Sequence, residues 1–301
     1  MKSNRLIVLL GPTGVGKTEL SLQLAETFNS SIISSDSRQI FKELKIGTAA
    51  PTQEQLDRVK HYFIGTKSIT DYYSAGQYEV DVLQVLNELF TENSTQFLVG
   101  GSMLYIDAVC EGLDDLPTIS TEVRTQVLSI WNESGIDGLR RKLQKLDPAY
   151  YQTIDINNKQ RVMHAIEISL STEKPYSELL KHEKKERPFD IIKIGLNLPR
   201  EELYQRINQR VDIMIQDGLI QEAEALYPHK HLNALNTVGY KELFQYMDGN
   251  HSLDFAINMI KQNSRRYAKR QLTWFNADKE IQWFNPKQYV EISATLEKRT
   301  L

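Results

Sequence analysis

The sequence predicts an α/β fold, in which a mostly parallel sheet carries helices on both faces and a helical insertion interrupts the chain. Three observations predict it. Strand-like and helix-like segments alternate over the first part of the sequence, a glycine-rich loop joins the first strand to the first helix, and residues 117–188 show helical spacing alone. Alternation of this kind is typical of parallel sheets, because parallel strands need helical crossovers.

The alternation begins with Arg5–Leu10, whose continuous apolar run is typical of a strand buried on both faces. A helical pattern follows over residues 17–28, where Leu20, Leu24 and Phe28 recur at a spacing of four. The remaining elements of this part are predicted as strands at 31–35 and 96–99 and helices at 75–90 and 102–110.

The pattern changes at residue 117 and changes back near residue 189. Residues 117–188 end in a charged run at 181–187, which is typical of a solvated helix end or a linker. A strand pattern returns at 191–198, followed by helices over 200–275 and a short strand at 281–284. We therefore predict a core domain made of residues 1–116 and 189–301, with a helical insertion domain at 117–188.

Composition limits the classes of function. Lys and Arg total 36 and Asp and Glu total 39, so the net charge of −3 excludes a uniformly basic nucleic-acid binder, although a local basic face stays possible. The single cysteine excludes an intrachain disulfide and a cysteine-rich zinc site. No apolar run is long enough for a signal segment or a membrane span, so we expect a cytoplasmic protein without a membrane partner.

The strongest motif is the loop after the first strand. Residues 11–18 read Gly-Pro-Thr-Gly-Val-Gly-Lys-Thr and fit the phosphate-loop pattern G-x-x-x-x-G-K-[ST] at every fixed position. This makes the predicted core P-loop NTPase-like. Lys17 would supply charge to a terminal phosphate, and the Thr18 hydroxyl is a natural Mg²⁺ ligand. The motif predicts a ligand with a diphosphate, not specifically a nucleotide, held by Gly11, Pro12, Thr13, Gly14, Val15, Gly16, Lys17 and Thr18.

The next two strands end in different chemistry. Asp36 follows the second strand, where it could hold Mg²⁺ through water, act as a general base, or cap a turn. The third strand leads into Gly100, Gly101 and Ser102, which suit either close approach of a ligand or a tight turn with a helix cap. The third strand ends without a carboxylate, which disfavours an ordinary ATP-hydrolysing enzyme.

Arginines stand out in the C-terminal part. Arg206 and Arg210 lie one helical turn apart and could close over a diphosphate, or could pair with Glu201 or Glu202 at the surface. Residues 264–275 mix basic and aromatic side chains, which suits a sugar–phosphate backbone or an unstacked base, and equally suits a solvated helix.

Taken in order, these motifs resemble one family, the bacterial tRNA dimethylallyltransferases, also called tRNA isopentenyltransferases. The resemblance extends over nearly the whole chain. It rests on GPTGVGKT at 11–18, SSDSRQIF at 34–41, IGTAAP at 46–51, YSAGQYE at 73–79, VGGSMLYIDAVCEGL at 99–113, LDPAYYQTIDINNKQRVMHAIEI at 146–168, VGYKE at 238–242 and RRYAKRQLTWF at 265–275.

The resemblance implies a reaction in which a dimethylallyl group moves from dimethylallyl diphosphate to N6 of the adenine 3′ to the anticodon, in tRNAs that read codons beginning with U. Diphosphate is released. Asp36 matches the family's base, Thr13 could reach the bridging oxygen, and Lys17 and Arg210 would meet the charge of the leaving group. Arg206 is a second diphosphate ligand and Mg²⁺, held by Thr18, is the implied cofactor. The target base is expected to flip out of its stack.

The resemblance also implies contacts with the anticodon stem-loop. The insertion would grip the stem, with positive charge at Arg161 and His164, and the enzyme is expected to act as a monomer. The implied tRNA-binding residues are Asp36, Ser37, Arg38, Gln39, Ser102, Arg124, Gln160, Arg161, Val162, Met163 and His164.

Two other functions share parts of this pattern. A small-molecule or nucleoside kinase that uses ATP would have the same fold, the same loop and an acid after the second strand. A non-catalytic, GTPase-like RNA-binding module is disfavoured, because the chain contains no N-K-x-D motif for reading guanine.

Overall fold

The structure, a computed structural model, describes residues 4–181 and 183–298. These residues form two compact units, one with the chain up to Glu111 and from Glu186 onward, the other comprising Gly112–Lys185. The sequence placed the corresponding boundaries at 117 and 188. Residues 1–3, 182 and 299–301, which the predicted domains include, lie outside the described residues.

A parallel sheet forms the centre of the first unit and confirms the predicted fold class. The six strands found in the described residues are ordered β3-β2-β4-β1-β5-β6, and every neighbouring pair is parallel. Their bounds are β1 Arg5–Leu10, β2 Ile32–Ser35, β3 His61–Tyr62, β4 Thr95–Gly100, β5 Asp190–Leu196 and β6 Gln282–Phe284.

Helices account for most of the remaining described chain. Two short 3₁₀ turns, Tyr227–His229 and Asn233–Leu235, precede α11. The helices are α1 Lys17–Thr27, α2 Gln53–Arg58, α3 Ala75–Glu92, α4 Met103–Cys110, α5 Thr121–Leu146, α6 Pro148–Thr153, α7 Lys159–Thr172, α8 Tyr176–Leu179, α9 Arg200–Gln216, α10 Leu219–Leu226, α11 Tyr240–Met247, α12 Leu253–Phe275 and α13 Tyr289–Lys298. In the described residues, none of them combines the length and apolarity that a membrane span needs.

The core of the first unit explains why β1 is apolar throughout. All six residues of β1 are buried, because helices cover both faces of the sheet. Three elements escaped the sequence prediction: α2, β3 and α13. Helix α2 has no buried residue and β3 has only two residues, so neither carries an apolar period. Helix α13 does bury Ile292 and Leu296, a spacing of four that was visible in the sequence.

The regular elements in the described residues of the second unit are all helices, α5 to α8. Its core lies between α5 and α7, where Val127, Leu139 and Leu143 of α5 and Val162 and Ile166 of α7 are fully buried. A kink interrupts α5 at Gly135, whose φ of 58° and ψ of −151° are not helical.

Another buried group stabilises the ends of the second unit's shorter helices. Asp147 is fully buried and caps α6, because its Oδ1 accepts the backbone N–H of Tyr150 at 2.9 Å. The same carboxylate accepts the Ser177 backbone N–H at 2.7 Å and the Ser177 hydroxyl at 2.9 Å, which joins α6 to α8. Part of the motif at 146–168 is therefore structural.

Of the two interpretations of the charged run at 181–187, the structure has the linker and not the helix end. No helix covers its described residues, and the run spans the boundary between the two units at 185/186. Its last member, Arg187, is not solvated, because its side chain is buried. Arg187 Nη2 donates to Glu79 Oε1 at 2.8 Å and to the Ala108 carbonyl at 2.8 Å, and its Nε donates to the Val109 carbonyl at 2.8 Å. Both members of this ion pair have only 7% of their side chains exposed. His182, inside the run, lies outside the described residues.

We expect Arg187→Met to lower the free energy of unfolding by about 3–5 kcal/mol, because it removes the cation that faces a buried carboxylate. Urea denaturation monitored by circular dichroism measures the loss. The matched control is Arg58→Met, which removes a solvent-exposed pair with Glu26 (2.9 Å) and should cost far less. Equal losses in the two variants would contradict this account.

Candidate active site

Three loops meet at the carboxyl ends of neighbouring parallel strands. Residues 11–16 follow β1, Asp36 follows β2, and Gly101 and Ser102 follow β4. Because β1, β4 and β2 are adjacent in the sheet, these loops lie side by side. Crevices at this edge are where open α/β sheets bind ligands.

The phosphate loop has the backbone that its glycines predict. Gly14 and Gly16 have φ angles of +80° and +107°, which residues with a side chain rarely adopt. Gly16 is the N-cap residue of α1. At Gly14 a Cβ would also lie 2.9 Å from Ile207 Cγ1 on α9. The loop is therefore shaped by its glycines and packed closely against α9.

Lys17 points back onto the loop. Its Nζ donates to the carbonyls of Gly11 at 2.8 Å and Pro12 at 3.0 Å. Burial, together with the positive charge of Arg210, lowers the pKa of Lys17 to about 7, although the carboxylate of Asp36 acts in the opposite direction. The same burial lowers the pKa of Arg210, which is nonetheless charged at neutral pH. The site concentrates positive charge that an anion would stabilise.

Thr13 is held from two sides. Its backbone N–H donates to Gln271 Oε1 at 2.9 Å, and its hydroxyl accepts from Arg210 Nη1 at 3.4 Å. Gln271 of α12 is 2% exposed, and its Nε2 donates to the Gly101 carbonyl at 2.8 Å. One side-chain amide therefore ties the phosphate loop and the turn after β4 to α12.

Gly100, the last residue of β4, and Gly101 line a cavity beside the phosphate loop and also make room for protein side chains. A Cβ at Gly100 would lie 2.3 Å from Ser35 Oγ, and a Cβ at Gly101 would lie 2.4 Å from Gln271 Nε2. Both distances are far below van der Waals contact. The Gly-Gly pair is thus required by packing between β4, β2 and α12.

Asp36 caps a turn and also faces the site. Its Oδ1 accepts the backbone N–H groups of Arg38 at 2.8 Å and Gln39 at 3.2 Å, which is the capping geometry considered from sequence. Asp36 nevertheless lines both cavities at this edge, and its charge acts on Lys17 and Arg210. The capping bonds fix the direction of a carboxylate that remains accessible.

A short hydrogen-bond chain runs beside Asp36. Ser102 Oγ accepts the Ser37 backbone N–H at 2.9 Å and donates to Ser37 Oγ at 3.2 Å. The Tyr267 side chain of α12 also hydrogen-bonds Ser102, and burial raises the pKa of Tyr267 to about 12, so its hydroxyl stays protonated. Ser102 therefore joins the turns after β2 and β4 to α12.

Two cavities flank these residues. One, of about 610 Å³, is lined by the phosphate loop, including Gly16, Lys17 and Thr18. The other, of about 330 Å³, lies on the side of Ser37 and Arg270. The residues that line both are Thr13, Asp36, Thr48, Arg210 and Tyr267. Asp36 can therefore be reached from either cavity.

Two arginines of α9 face the 610 Å³ cavity at the phosphate loop. Arg206 and Arg210 both line it, and a Cβ at Gly16 would lie 3.0 Å from Arg206 Nη2. Glu202 forms its ion pair with Lys287, at 3.9 Å. The two arginines therefore line the cavity at the phosphate loop, where the diphosphate clamp was predicted.

Two further side chains predicted beside the target base are bound by protein groups. Arg38 Nη1 donates to the carbonyls of Asn233 at 2.9 Å and Ala234 at 3.1 Å. Gln39 Nε2 donates to the carbonyls of Thr48 at 3.1 Å and Ala49 at 3.2 Å. Both residues still line a cavity, so they shape its wall as well as facing it.

The residues of the second unit predicted to contact tRNA differ in exposure. Gln160, Arg161 and His164 are exposed on α7, and Met163 is half-buried against the core. Val162 is fully buried, so its side chain supports α7 from inside and presents nothing to the surface. The prediction of a Val162 side-chain contact is corrected accordingly.

The surroundings of His164 act against the positive charge predicted there. Partial burial of the imidazole, which packs edge-on against the Tyr176 ring, and the positive charge of Arg124 lower the pKa of His164. Arg124 itself lies 3.8 Å from Glu167 Oε1, in an ion pair across α5 and α7.

The sequence reasoning missed the role of Gln271. Helix α12 buries Ala268, Gln271 and Phe275, which lie on one face at spacings of three and four. A glutamine in an otherwise apolar stripe was the available signal, because a buried amide needs hydrogen-bond partners.

Comparisons with known proteins identify the family of this chain. Residues 39–278 match the family described as IPP transferase. The chain is 57% identical to tRNA dimethylallyltransferase 1 of Bacteroides fragilis, over 99% of both chains, and 59% identical to that of Phocaeicola vulgatus, over 95% of this chain and 96% of that one.

Solved structures give the same result. The tRNA isopentenylpyrophosphate transferase of Bacillus halodurans is 36% identical, with a TM-score of 0.73, and the match covers 99% of this chain and 97% of that one. A eukaryotic dimethylallyltransferase acting on tRNA is 25% identical, with a TM-score of 0.79, and the match covers 99% of this chain and 77% of that one. The family match and the near-full-length identities show that this chain belongs to the IPP transferase family.

Proposed function

We propose that this chain transfers a dimethylallyl group from dimethylallyl diphosphate to N6 of the adenine 3′ to the anticodon, in tRNAs that read codons beginning with U. The observation that carries the proposal is the pair of cavities that share Asp36 and Thr13. A diphosphate held at the phosphate loop and a base entering from the other side would meet beside one carboxylate.

The phosphate-loop cavity suits a leaving diphosphate. Negative charge grows on the diphosphate as its bond to the allylic carbon breaks, and preorganised positive groups stabilise that charge. Lys17, Arg206 and Arg210 surround the loop, and the N-terminus of α1 opens onto it. Thr13, whose hydroxyl meets Arg210, lies where the bridging oxygen would depart.

The second cavity suits the acceptor base. N6 attacks the allylic carbon, a C–N bond forms as the C–O bond to diphosphate breaks, and the N6 proton passes to Asp36. Tyr267 offers an aromatic surface to an unstacked purine, and Ile207, Val211 and Met214 supply apolar walls. Asp36 is directed toward this place by its two backbone hydrogen bonds.

The residues present fit a magnesium ion. Mg²⁺ at such sites keeps several waters and binds substrate phosphates with few protein ligands, so no cage of carboxylates is required. The described residues contain no group of three or more His, Cys, Asp or Glu that could form one. The Thr18 hydroxyl is exposed at the loop and would hold the ion, which would neutralise charge on the diphosphate.

The second unit would bind the anticodon stem through the exposed face of α7, with Gln160 and Arg161 as its leading contacts. Arg124 and Met163 would support that face. Since both cavities belong to the first unit of one chain, the proposed reaction needs no second copy, and we propose that the enzyme works as a monomer on cytoplasmic tRNA.

The direct test mixes the protein and Mg²⁺ with unmodified tRNA and either labelled dimethylallyl diphosphate or γ-labelled ATP. We expect label to enter tRNA from the first donor only, because the site is built for a leaving diphosphate. Transfer of phosphate from ATP to an acceptor, without prenylation of tRNA, would support the kinase alternative instead.

Replacing the proposed base tests the mechanism. We expect Asp36→Ala to lower turnover by about 10²–10⁴-fold, the usual contribution of a general base, while diphosphate binding is retained. Single-turnover transfer and titration with diphosphate measure the two quantities. Asp71→Ala, which removes an exposed turn-capping carboxylate that lines neither cavity, serves as the matched control. Near-normal turnover of Asp36→Ala would remove this residue from the mechanism.

Lys17 gives a pH-dependent prediction. Because its pKa is lowered to about 7, Lys17 is mostly neutral at pH 8, and a bound anion favours its charged form. Diphosphate binding at pH 8 should therefore take up about one proton more in the wild type than in Lys17→Met. Calorimetry in buffers of different ionisation enthalpy measures the uptake. Equal uptake in both proteins would contradict the lowered pKa.

A further inference from the structure

Two sequence motifs, at 46–51 and 238–242, supply part of the wall of the 330 Å³ cavity, and they meet at one carboxylate outside it. Glu222 on α10 accepts the backbone N–H groups of Lys45 at 3.1 Å and Ile46 at 2.9 Å on Oε2, and that of Gly47 at 2.9 Å on Oε1. The Tyr240 hydroxyl donates to the same Oε1 at 2.7 Å. Four donors therefore converge on one side chain.

The two motifs also fit together by shape. Tyr240 is fully buried, and a Cβ at Gly47 would lie 2.6 Å from Cζ of the Tyr240 ring. Glycine at 47 thus lets the loop lie flat against the tyrosine. In the turn that follows, Ala49 has a φ of +47°, which is uncommon for a residue with a side chain. A hydrogen bond from the Ala49 N–H to the Ile46 carbonyl, at 2.9 Å, holds this turn.

This loop leads directly to the proposed base. Thr48 lines both cavities, and the carbonyls of Thr48 and Ala49 accept the two hydrogen bonds from Gln39 Nε2. The backbone N–H of Gln39 in turn donates to Asp36 Oδ1. Hydrogen bonds therefore connect Glu222 to the loop at 45–49, this loop to the Gln39 side chain, and the Gln39 backbone to Asp36.

We propose that Glu222 is a positioning residue for the transfer reaction. Glu222 does not line either cavity, so it acts by fixing the loop at 45–49, which sets the wall at Thr48 and the direction of the Asp36 carboxylate. Its role is to hold the Asp36 carboxylate, the proposed general base, in place beside the attacking N6 of the adenine. The inference rests on the proposed function.

The test is Glu222→Gln, which keeps the size of the side chain. A carboxamide has one accepting oxygen, and its NH₂ group would face N–H donors, so the loop loses part of its anchor. We expect kcat for dimethylallyl transfer to fall by about 10–100-fold, the scale of an ångström of misplacement, with the Kd for diphosphate nearly unchanged. Tyr240→Phe removes one of the four bonds and should lower kcat less.

Glu43→Gln is the matched control. Glu43 accepts the Ser68 hydroxyl at 2.8 Å and the Ile69 backbone N–H at 3.0 Å, so it anchors a loop in the same unit that lines neither cavity. We expect a loss in the urea midpoint comparable with that of Glu222→Gln, but unchanged kcat. A purely structural role for Glu222 would make the two variants behave alike.

A double-mutant cycle separates positioning of Asp36 from any other effect. If Glu222 acts through Asp36, Glu222→Gln should change turnover little in an Asp36→Ala background. A full 10–100-fold loss in that background, or wild-type kcat in Glu222→Gln itself, would overturn the inference. Should Glu222→Gln fail to fold, Tyr240→Phe in the same cycle decides by the same criteria.

The two proposals fail in different ways. Wild-type protein that prenylates tRNA while Glu222→Gln keeps full kcat rejects the role of Glu222 alone. Wild-type protein that transfers no dimethylallyl group rejects the proposed function, and the inference about Glu222 is rejected with it.

Discussion

Buried positive charge opposite a single carboxylate is the constraint on which the rest of the site depends. Lys17 and Arg210 lie in a cavity that removes water from them, and Asp36 offsets that cost only in part. A diphosphate bound as proposed would supply the negative charge that the site lacks.

Polar side chains hold the loops around those charges in place through hydrogen bonds to the loop backbone. Gln271 binds the phosphate loop and the turn after β4, Ser102 binds the turn after β2, and Glu222 binds the loop at 45–47. Each of these side chains forms short hydrogen bonds that satisfy buried or half-buried backbone N–H and C=O groups. These hydrogen bonds fix the backbone of the loops that surround the site.

The second unit has a separate, self-sufficient core. Its interior is formed by α5 and α7 and is tied at the ends by Asp147, while the exposed face of α7 carries Arg161. The cavities lined by the phosphate loop and Asp36 belong to the other unit. The lowered pKa of His164 disfavours its charged form, whereas Arg161 on the same helix stays charged.

The sequence by itself determined the parallel α/β sheet, the phosphate loop and the position of Asp36 at a strand end, because apolar periodicity and glycine placement are local properties. Periodicity could not reveal α2 or β3, which bury too little to leave a pattern. Only the tertiary structure decided that Gly100 and Gly101 make room for Ser35 and Gln271, that Arg187 is buried, and that Glu222 meets the loop at 45–47. Each of those contacts joins residues far apart in the chain, and hydrogen-bond partners at such separations leave no trace in local spacing.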